Sequence, residues 1–375
     1  MYDAVVIGGG IVGAAIAYHL VSDGAKTVLF DRADPGRATE AGAGILSPET
    51  NSRDGQAWFD LAIEAVNYYP DLVARLQAEQ EGETGYARCG KLTVAVSEDE
   101  VEPFTQAQKI ILERQRRRGT PAEADLHPVS AAEAQALFPA LAPTRGAIYF
   151  RHAARVDGRL LAAALLRAAE RGGLTIKRAG VEQLLLQSGR VTGVQVDQAA
   201  VAAGSVAIAG GAWSNAFGRQ LGCQIPVAPQ RGQIIHLDLP GTDTSTWPII
   251  TAFRGHYLVP WSDSRVVVGA TRETGSGFVP QTSAVGVREV LDEALRVAPG
   301  LAEGSIGEIR VGLRPLTPDL LPVLGAVPGV ENIYLATGHG PTGLQLGPYS
   351  GRLIAAMMLG QAVDTDLSPF QVSRF

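Results

Sequence analysis

Cysteine is scarce in this sequence. Only Cys89 and Cys223 occur among 375 residues, and they lie far apart along the chain. Two separated cysteines favour neither a disulfide framework nor a cysteine-rich metal site. We therefore expect no metal centre, and we expect the protein to work in a reducing, cytoplasmic compartment.

Basic clusters and long apolar runs are also lacking. The formal net charge is −6, and the one basic tract, residues 114–118, is typical of a solvated helix face, so we expect no nucleic-acid partner. No uninterrupted apolar run reaches the roughly 18 residues that a membrane-spanning helix needs. The N-terminal apolar stretch has no basic start and is rich in glycine, so we expect neither a signal peptide nor a transmembrane segment.

What is present is a globular composition with one informative N-terminal stretch. Residues 2–31 read YDAVVIGGGIVGAAIAYHLVSDGAKTVLFD, in which an apolar strand precedes Gly8, Gly10 and Gly13. In the G-x-G-x-x-G pattern, the glycines permit a tight turn, close approach of a pyrophosphate and close packing of the next helix. Asp31 ends the second strand, where a carboxylate binds ribose hydroxyls. A lone glycine triplet could be a flexible turn, but the full strand–glycine–helix–strand–acid order predicts a dinucleotide site.

The remaining chain mixes two kinds of pattern. Apolar periodicity predicts helices from about Trp58 to Gln80 and from Arg159 to Arg171, and a second strand–glycine–helix unit around residues 333–359. Alternating segments between 233 and 269 predict antiparallel strands. Since dinucleotide-type segments lie at both ends and in the middle, we predict an α/β fold (α+β overall) with a Rossmann-like domain interleaved with a mixed-sheet domain. We assign 1–85, 145–225 and 300–375 to the first domain, and 86–144 and 226–299 to the second.

Over nearly its full length, the chain resembles the glycine oxidase and D-amino-acid oxidase group of FAD-dependent flavoproteins. The motifs that carry the resemblance are GGGIVG with Asp31, GRATEAGAGILSP, AGGAWS, HYLVP followed by VVVGAT, VGLRP, and ATGHGPTG. Their order and spacing are more specific than any one of them. The resemblance implies a discontinuous FAD-binding domain and a substrate-binding domain that covers the flavin.

The resemblance also implies which residues bind FAD, and it implies that FAD is bound noncovalently. Sarcosine oxidase relatives attach the flavin through a cysteine near VGLRP, and the matching position here is Gly312. The expected cofactor-binding residues are Gly8, Gly10, Ile11, Val12, Gly13, Asp31, Arg32, Thr39, Ala43, Gly44, Leu46, Val181, Gly210, Gly211, Trp213, Arg314, Gly338, His339, Gly340, Thr342, Gly343 and Leu344.

For the substrate, Tyr257 and Arg314 match the pair that grips an amino-acid carboxylate. Arginine can hold a carboxylate through two parallel hydrogen bonds, and tyrosine can add a third. From the residues alone, Tyr257 could instead fill the core, Arg314 could form a surface ion pair, and His339 could be a loop histidine satisfied by backbone. Glycine oxidase has a second arginine where this chain has Pro341. That difference argues against glycine as the best substrate and favours a larger neutral or cyclic amino acid in a less polar cavity.

The implied reaction is oxidative deamination of an amino acid. A hydride passes from Cα to flavin N5, and the imine hydrolyses to an oxo acid and ammonia. The expected substrate is a D-amino acid, glycine or a cyclic or N-methyl amino acid, and the electron acceptor is oxygen or a quinone. The alternatives are a dehydrogenase that passes electrons to a quinone-type acceptor, an NAD-dependent dehydrogenase with the same N-terminal motif, and a flavin-binding scaffold without amino-acid oxidation. Assembly into a homo-oligomer is left open.

Overall fold

The computed structural model describes residues 1–52, 55–79 and 82–375. Its helices are α1 (Ile11–Ser22), α2 (Gln56–Ala78), α3 (Val101–Arg118), α4 (Ala131–Leu137), α5 (Gly158–Arg171), α6 (Gly218–Leu221), α7 (Ala284–Val297) and α8 (Gly343–Met358). The helices predicted over 58–80 and 159–171 are present as α2 and α5, although the predicted end at Gln80 lies outside the described residues. None of the described helices is long and apolar enough to cross a membrane.

The strands of the described residues fall into three sheets. They are β1 (Tyr2–Ile7), β2 (Thr27–Phe30), β3 (Ile45–Leu46), β4 (Ala87–Arg88), β5 (Lys91–Ala95), β6 (Leu126–Pro128), β7 (Gly146–Phe150), β8 (Ala154–Arg155), β9 (Thr175–Lys177), β10 (Gln183–Gln187), β11 (Arg190–Val196), β12 (Ala199–Ile208), β13 (Ala228–Asp238), β14 (Ile249–Ala252), β15 (Tyr257–Trp261), β16 (Arg265–Gly269), β17 (Glu273–Thr274), β18 (Ser305–Leu316), β19 (Val323–Ala326) and β20 (Ile333–Thr337).

The first sheet has eight strands and a parallel centre. Strand β1 lies between β2 and β12, β2 also pairs with β9, and β12 also pairs with β20, all in parallel. Helices α1, α2, α5 and α8 share one large apolar core with this sheet. Strands buried on both faces need continuous apolar runs, and residues 4–7 of β1 are all buried. Because β1 and β12 are parallel neighbours, their carboxyl ends lie at the same edge of the sheet, where a doubly wound sheet binds its ligand.

The second sheet has nine strands and is mainly antiparallel. Its order is β17-β13-β16-β15-β14-β5-β7-β6, with β18 paired to β13. Helices α4 and α7 pack on one apolar core of this sheet, and α3 contributes to another. A short third sheet contains β3, β8 and β4. The predicted combination of a Rossmann-like part and a mixed sheet is present.

Two strands cross the division drawn from the sequence. The segments 145–225 and 300–375 were assigned to the cofactor domain, yet β7 pairs with β5, and β18 pairs with β13 along residues 228–238. Both β7 and β18 therefore belong to the nine-stranded sheet. Their partners lie more than 50 residues away in sequence, and β18 does not alternate cleanly between buried and exposed residues, so local patterns did not reveal this pairing. The domain boundaries as a whole stay a prediction.

Candidate active site

The glycine loop after β1 is shaped by close contacts within the protein. Gly8 has a φ of +106°, and a side chain there would place Cβ 2.5 Å from the carbonyl oxygen of Ala209. A side chain at Gly13 would overlap the carbonyl oxygen of Gly8. The absence of side chains at Gly8 and Gly13 lets α1 and the loop after β12 pack against the turn. A Cβ added at Gly10 would meet only Thr39 Oγ1, at 3.2 Å. Gly10 is therefore the position at which open space on the cavity side matters.

The N-terminus of α1 opens onto the same cavity. Gly10 is its N-cap and supplies no side-chain cap, and the first turn contains no acidic residue. The Ile11 amide donates to Thr39 Oγ1 at 2.9 Å, which ties the following loop to the helix start. Amide groups at a helix start carry partial positive charge and bind phosphate. This end of the cavity is thus suited to a pyrophosphate.

Asp31 lies at the end of β2, as predicted, and is held by neighbouring groups. Its Oδ1 accepts from the Ala33 amide at 3.1 Å, and its Oδ2 pairs with Arg37 Nη1 at 2.7 Å. Arg37 also pairs with Glu40, and Arg32 pairs with Asp34 at 2.7 Å. The carboxylate is oriented at the mouth of the nucleotide end, where ribose hydroxyls would reach it.

A cavity of about 460 Å³ joins the glycine loop to the nine-stranded sheet. Most of the predicted site residues line it: Gly8, Gly10, Ile11, Val12, Asp31, Arg32, Thr39, Ala43, Gly44, Val181, Gly210, Gly211, Trp213, Tyr257, Arg314, His339, Gly340, Gly343 and Leu344. Gly13, Leu46, Gly338 and Thr342 do not. Leu46 is buried in the apolar core, where its strand β3 contacts α8, and a side chain at Gly338 would meet Thr317 Cγ2 at 2.6 Å, so these two positions serve packing.

At the sheet end of the cavity, Arg314 on β18 and Tyr257 on β15 face the same space. Arg314 Nη1 donates to the backbone oxygen of Thr271 at 2.9 Å and to Gln230 Oε1 at 3.3 Å. It forms no ion pair within 4.0 Å among the residues that the structure describes, so it is not the surface ion pair considered from sequence. Burial raises the pKa of Tyr257, and nearby Arg314 partly opposes this effect, so the phenol stays protonated at neutral pH and can donate.

Two glycines make room for this pair. A Cβ at Gly232 would lie 2.5 Å from Arg314 Nη1 and still closer to Nη2 and Cζ. A Cβ at Gly269 would lie 2.9 Å from the Tyr257 hydroxyl oxygen. The guanidinium and the phenol therefore rest against bare backbone of the neighbouring strands.

The loop between β20 and α8 forms a further wall. His339 is only 2% exposed, and its Nε2 lies 3.1 Å from Ser350 Oγ, so a side chain and not the backbone is its partner. Burial lowers the pKa of His339 to about 4, so the ring is neutral at physiological pH. Pro341 is exposed and also lines the cavity.

Sequence reasoning missed several residues of the cavity wall, above all Arg272 and Phe278. Arg272 directly precedes β17, and Phe278 packs on Trp213 with ring centroids 5.5 Å apart. Arg272 supplies a second cation at the sheet end of the cavity, and the expectation that Pro341 leaves a less polar wall stays a prediction. The position of Arg272 three residues after β16, which pairs with the strand of Tyr257, was the one available signal.

Comparisons with known proteins point to one family. The model of the DAO family, described as FAD dependent oxidoreductase, matches residues 3–357. The uncharacterized oxidoreductase YurR of Bacillus subtilis (strain 168) is 39% identical over 371 residues, which are 99% of this chain and 98% of that protein.

Two solved structures share the fold across almost the whole chain. The iminodiacetate oxidase from Chelativorans sp. BNC1 has a TM-score of 0.93 and 38% identity, and the match covers 98% of each chain. The glycine oxidase from Geobacillus kaustophilus has a TM-score of 0.89 and 27% identity, and covers 100% of this chain and 99% of its own. These matches confirm the predicted fold class.

The residues of the cavity fit the FAD that the family model names. Gly10 leaves the start of α1 clear for a pyrophosphate, and Asp31 lies one strand away for the ribose. Small residues at 41–44 line the path from there to the sheet, where a flat ring system would face Arg314 and Tyr257. Among the described residues there is no group of three or more histidine, cysteine, aspartate or glutamate side chains that could hold a metal ion.

Proposed function

Because the chain belongs to the DAO family of FAD-dependent oxidoreductases, we propose that it oxidises the Cα–N bond of an amino acid whose carboxylate is bound by Arg314 and Tyr257. The observation that carries this proposal is the placement of these two side chains. They line the same cavity as the glycine loop, and Arg314 has no carboxylate partner there among the described residues. A cation that is held by neutral acceptors in a cavity is suited to an anionic ligand.

FAD supplies the two-electron acceptor when it is bound, and the protein positions the substrate. Arg314 is anchored by Thr271 and Gln230 and presents its remaining N–H groups to a carboxylate. The protonated Tyr257 donates a further hydrogen bond, which fixes the direction of the Cα–H bond. The neutral His339 has Ser350 as its partner, and we assign no proton transfer to it. Loss of hydride from Cα and of a proton from nitrogen gives an imine, which water hydrolyses to an oxo acid and an amine or ammonia.

The proposed substrates are glycine derivatives, D-amino acids and cyclic or N-methyl amino acids. The names of the solved relatives, glycine oxidase and iminodiacetate oxidase, support a small primary or secondary amine beside a carboxylate. Glycine oxidase has an arginine at the position of Pro341, and this difference supports a substituted amine as the substrate in place of glycine itself. We propose oxygen or a quinone as the electron acceptor.

The test is anaerobic mixing of the FAD-loaded protein with a panel of amino acids. The panel contains glycine, N-methylglycine, iminodiacetate, proline and both enantiomers of alanine, and bleaching of the flavin absorbance reports oxidation. Admission of air then tests for hydrogen peroxide. If no member of the panel bleaches the flavin, the proposed activity is wrong.

The role of Arg314 is tested with a matched pair of variants. Arg314→Leu should raise the apparent KM roughly 10-fold to 1000-fold with FAD still bound, since one or more charge-assisted hydrogen bonds are lost. Arg310→Leu is the control, because Arg310 lies on the same strand and pairs with Glu308 at 2.7 Å outside the cavity. Equal KM values in the two variants would contradict the assignment.

A further inference from the structure

Arg272 is fixed in the cavity wall beside Tyr257. Its Nη1 donates to the backbone oxygen of Gly255 at 2.7 Å, two residues before Tyr257. Gly255 has a φ of +83°, and a Cβ at that position would lie 2.5 Å from the same nitrogen. The turn between β14 and β15 therefore accepts the guanidinium against bare backbone, in the same way that Gly232 accepts Arg314.

Arg272 has no anionic partner in the described parts of the chain. None of the ion pairs there includes it, and its neighbour Glu273 is engaged elsewhere. Glu273 pairs with Arg231 at 2.5 Å and accepts from Gln233 and Thr271 at 2.6 and 2.8 Å. Neighbouring residues of an extended segment point to opposite sides, and of Glu273 and Arg272 only Arg272 lines the cavity.

At the sheet end of the cavity, Arg272 and Arg314 are two cations without an ion-pair partner within 4.0 Å among the described residues. Burial lowers the pKa of Arg314, and the charge of Arg272 adds to this effect while Tyr257 opposes it. The influence of Arg272 on both Arg314 and Tyr257 indicates that the three groups lie within electrostatic range. Arg272 lines this cavity as an exposed side chain, so a second anionic group of a ligand in the cavity can reach its guanidinium.

We propose that Arg272 binds a second carboxylate of the substrate, so that the preferred substrates are amino dicarboxylates. This inference rests on the proposed function, in which Arg314 and Tyr257 hold the first carboxylate. The second carboxylate need not touch the reacting carbon. Arg272 acts as a specificity-determining residue, and the oxidation itself is unchanged.

For a dicarboxylate whose carboxylates flank a secondary amine, the reaction balances without a further reactant. Hydride leaves one methylene carbon, a proton leaves nitrogen, and a C=N bond forms while FAD takes up the electron pair. Addition of water then breaks the C–N bond and yields an oxo acid and an amino acid. Both carboxylates survive, one on each product.

The kinetic test compares two secondary amines that differ by one carboxylate, iminodiacetate and N-methylglycine. We expect wild-type enzyme to have the higher kcat/KM for iminodiacetate. Arg272→Met keeps the length of the side chain and removes its charge, and should lower kcat/KM for iminodiacetate about 10-fold to 150-fold, the loss of one hydrogen bond to a charged group. The value for N-methylglycine should fall less than the value for iminodiacetate, and Arg272→Lys should recover part of the loss.

Arg288→Met is the matched control, because Arg288 is exposed on α7 and pairs with Asp292 away from the cavity. It should leave both substrates unaffected. Equal loss for both substrates in Arg272→Met, or no loss for either, would overturn the inference, and so would a wild-type preference for N-methylglycine.

A binding measurement separates this inference from the proposed function. Thiodiacetate has sulfur in place of the amine nitrogen, so it cannot form an imine, and methylthioacetate is its monocarboxylate counterpart. Titration of the oxidised flavin absorbance should give a lower Kd for thiodiacetate, and Arg272→Met should abolish that difference. If thiodiacetate shows this preference but no amine bleaches the flavin, the proposed oxidation fails and the dicarboxylate site stands. If amines bleach the flavin and thiodiacetate has no advantage, only the dicarboxylate site fails.

Discussion

Gly232→Ala should impair substrate binding without touching the substrate. Gly232 lies on β13 opposite Gly312 of β18, and the Arg314 guanidinium covers it. Its φ is not in the left-handed region, so alanine fits the backbone and the methyl group acts through Arg314 alone. The Cβ would come within 2.5 Å of Nη1, so the guanidinium must move.

The size of the effect follows from the bonds that the displaced guanidinium loses. Arg314 Nη1 is held by Thr271 at 2.9 Å and Gln230 at 3.3 Å, and the movement breaks this alignment. A hydrogen bond to a charged group is worth about 1.5–3 kcal/mol. Loss of one such bond to the substrate carboxylate raises KM about 10-fold to 150-fold.

The assay is steady-state kinetics on the best amino acid of the panel, together with FAD content and Tm. We expect Gly232→Ala to keep its FAD, because the methyl group lies at the sheet end of the cavity. The double variant Gly232→Ala/Arg314→Leu is the control, since it should be no worse than Arg314→Leu alone. An unchanged KM in the single variant, or additive effects in the double variant, would refute the positioning role of Gly232.

Three further predictions concern the glycine loop, the attachment of the flavin and a buried lysine. Gly10→Ala should keep its Tm and lose FAD, since the added methyl group meets only Thr39 Oγ1 within the protein. Gly13→Ala should instead have a lower Tm even in the absence of FAD, because its methyl group overlaps the Gly8 carbonyl. Full flavin content in purified Gly10→Ala would contradict the assignment. Acid precipitation should release all flavin into the supernatant, because neither cysteine lines the cavity, and yellow colour in the pellet would show a covalent link. Lys91→Met should raise Tm at pH 7, because burial lowers the pKa of Lys91 from 10.5 to about 8 and keeping its proton costs the folded state about 3 kcal/mol. Between about pH 8 and pH 10.5 Lys91 is protonated in the unfolded chain but not in the folded protein, so the stability of the wild type rises with pH in this range. The higher Tm of the variant should therefore vanish above about pH 10.5. A gain in Tm that does not depend on pH would contradict this cause.

The sequence alone determined the nucleotide end of the molecule. The glycines at 8, 10 and 13 and Asp31 lie within one strand–helix–strand unit of 30 residues, so their relation is set by local geometry. The capping box of Ser130 with Glu133 at the start of α4 is equally local. Contacts between residues this close in sequence can be predicted from residue spacing, because helices and strands have fixed periods.

Only the tertiary structure decided the composition of the substrate end. Arg314 comes from β18, Tyr257 from β15 and Gly232 from β13, and Arg272 directly precedes β17. Strand register over such separations depends on the pairing of whole strands, and a shift of one residue would turn each side chain to the other face. The sequence could therefore suggest one carboxylate-binding pair by family likeness. The second cation emerged only when the sheet placed Arg272 against Gly255 beside that pair.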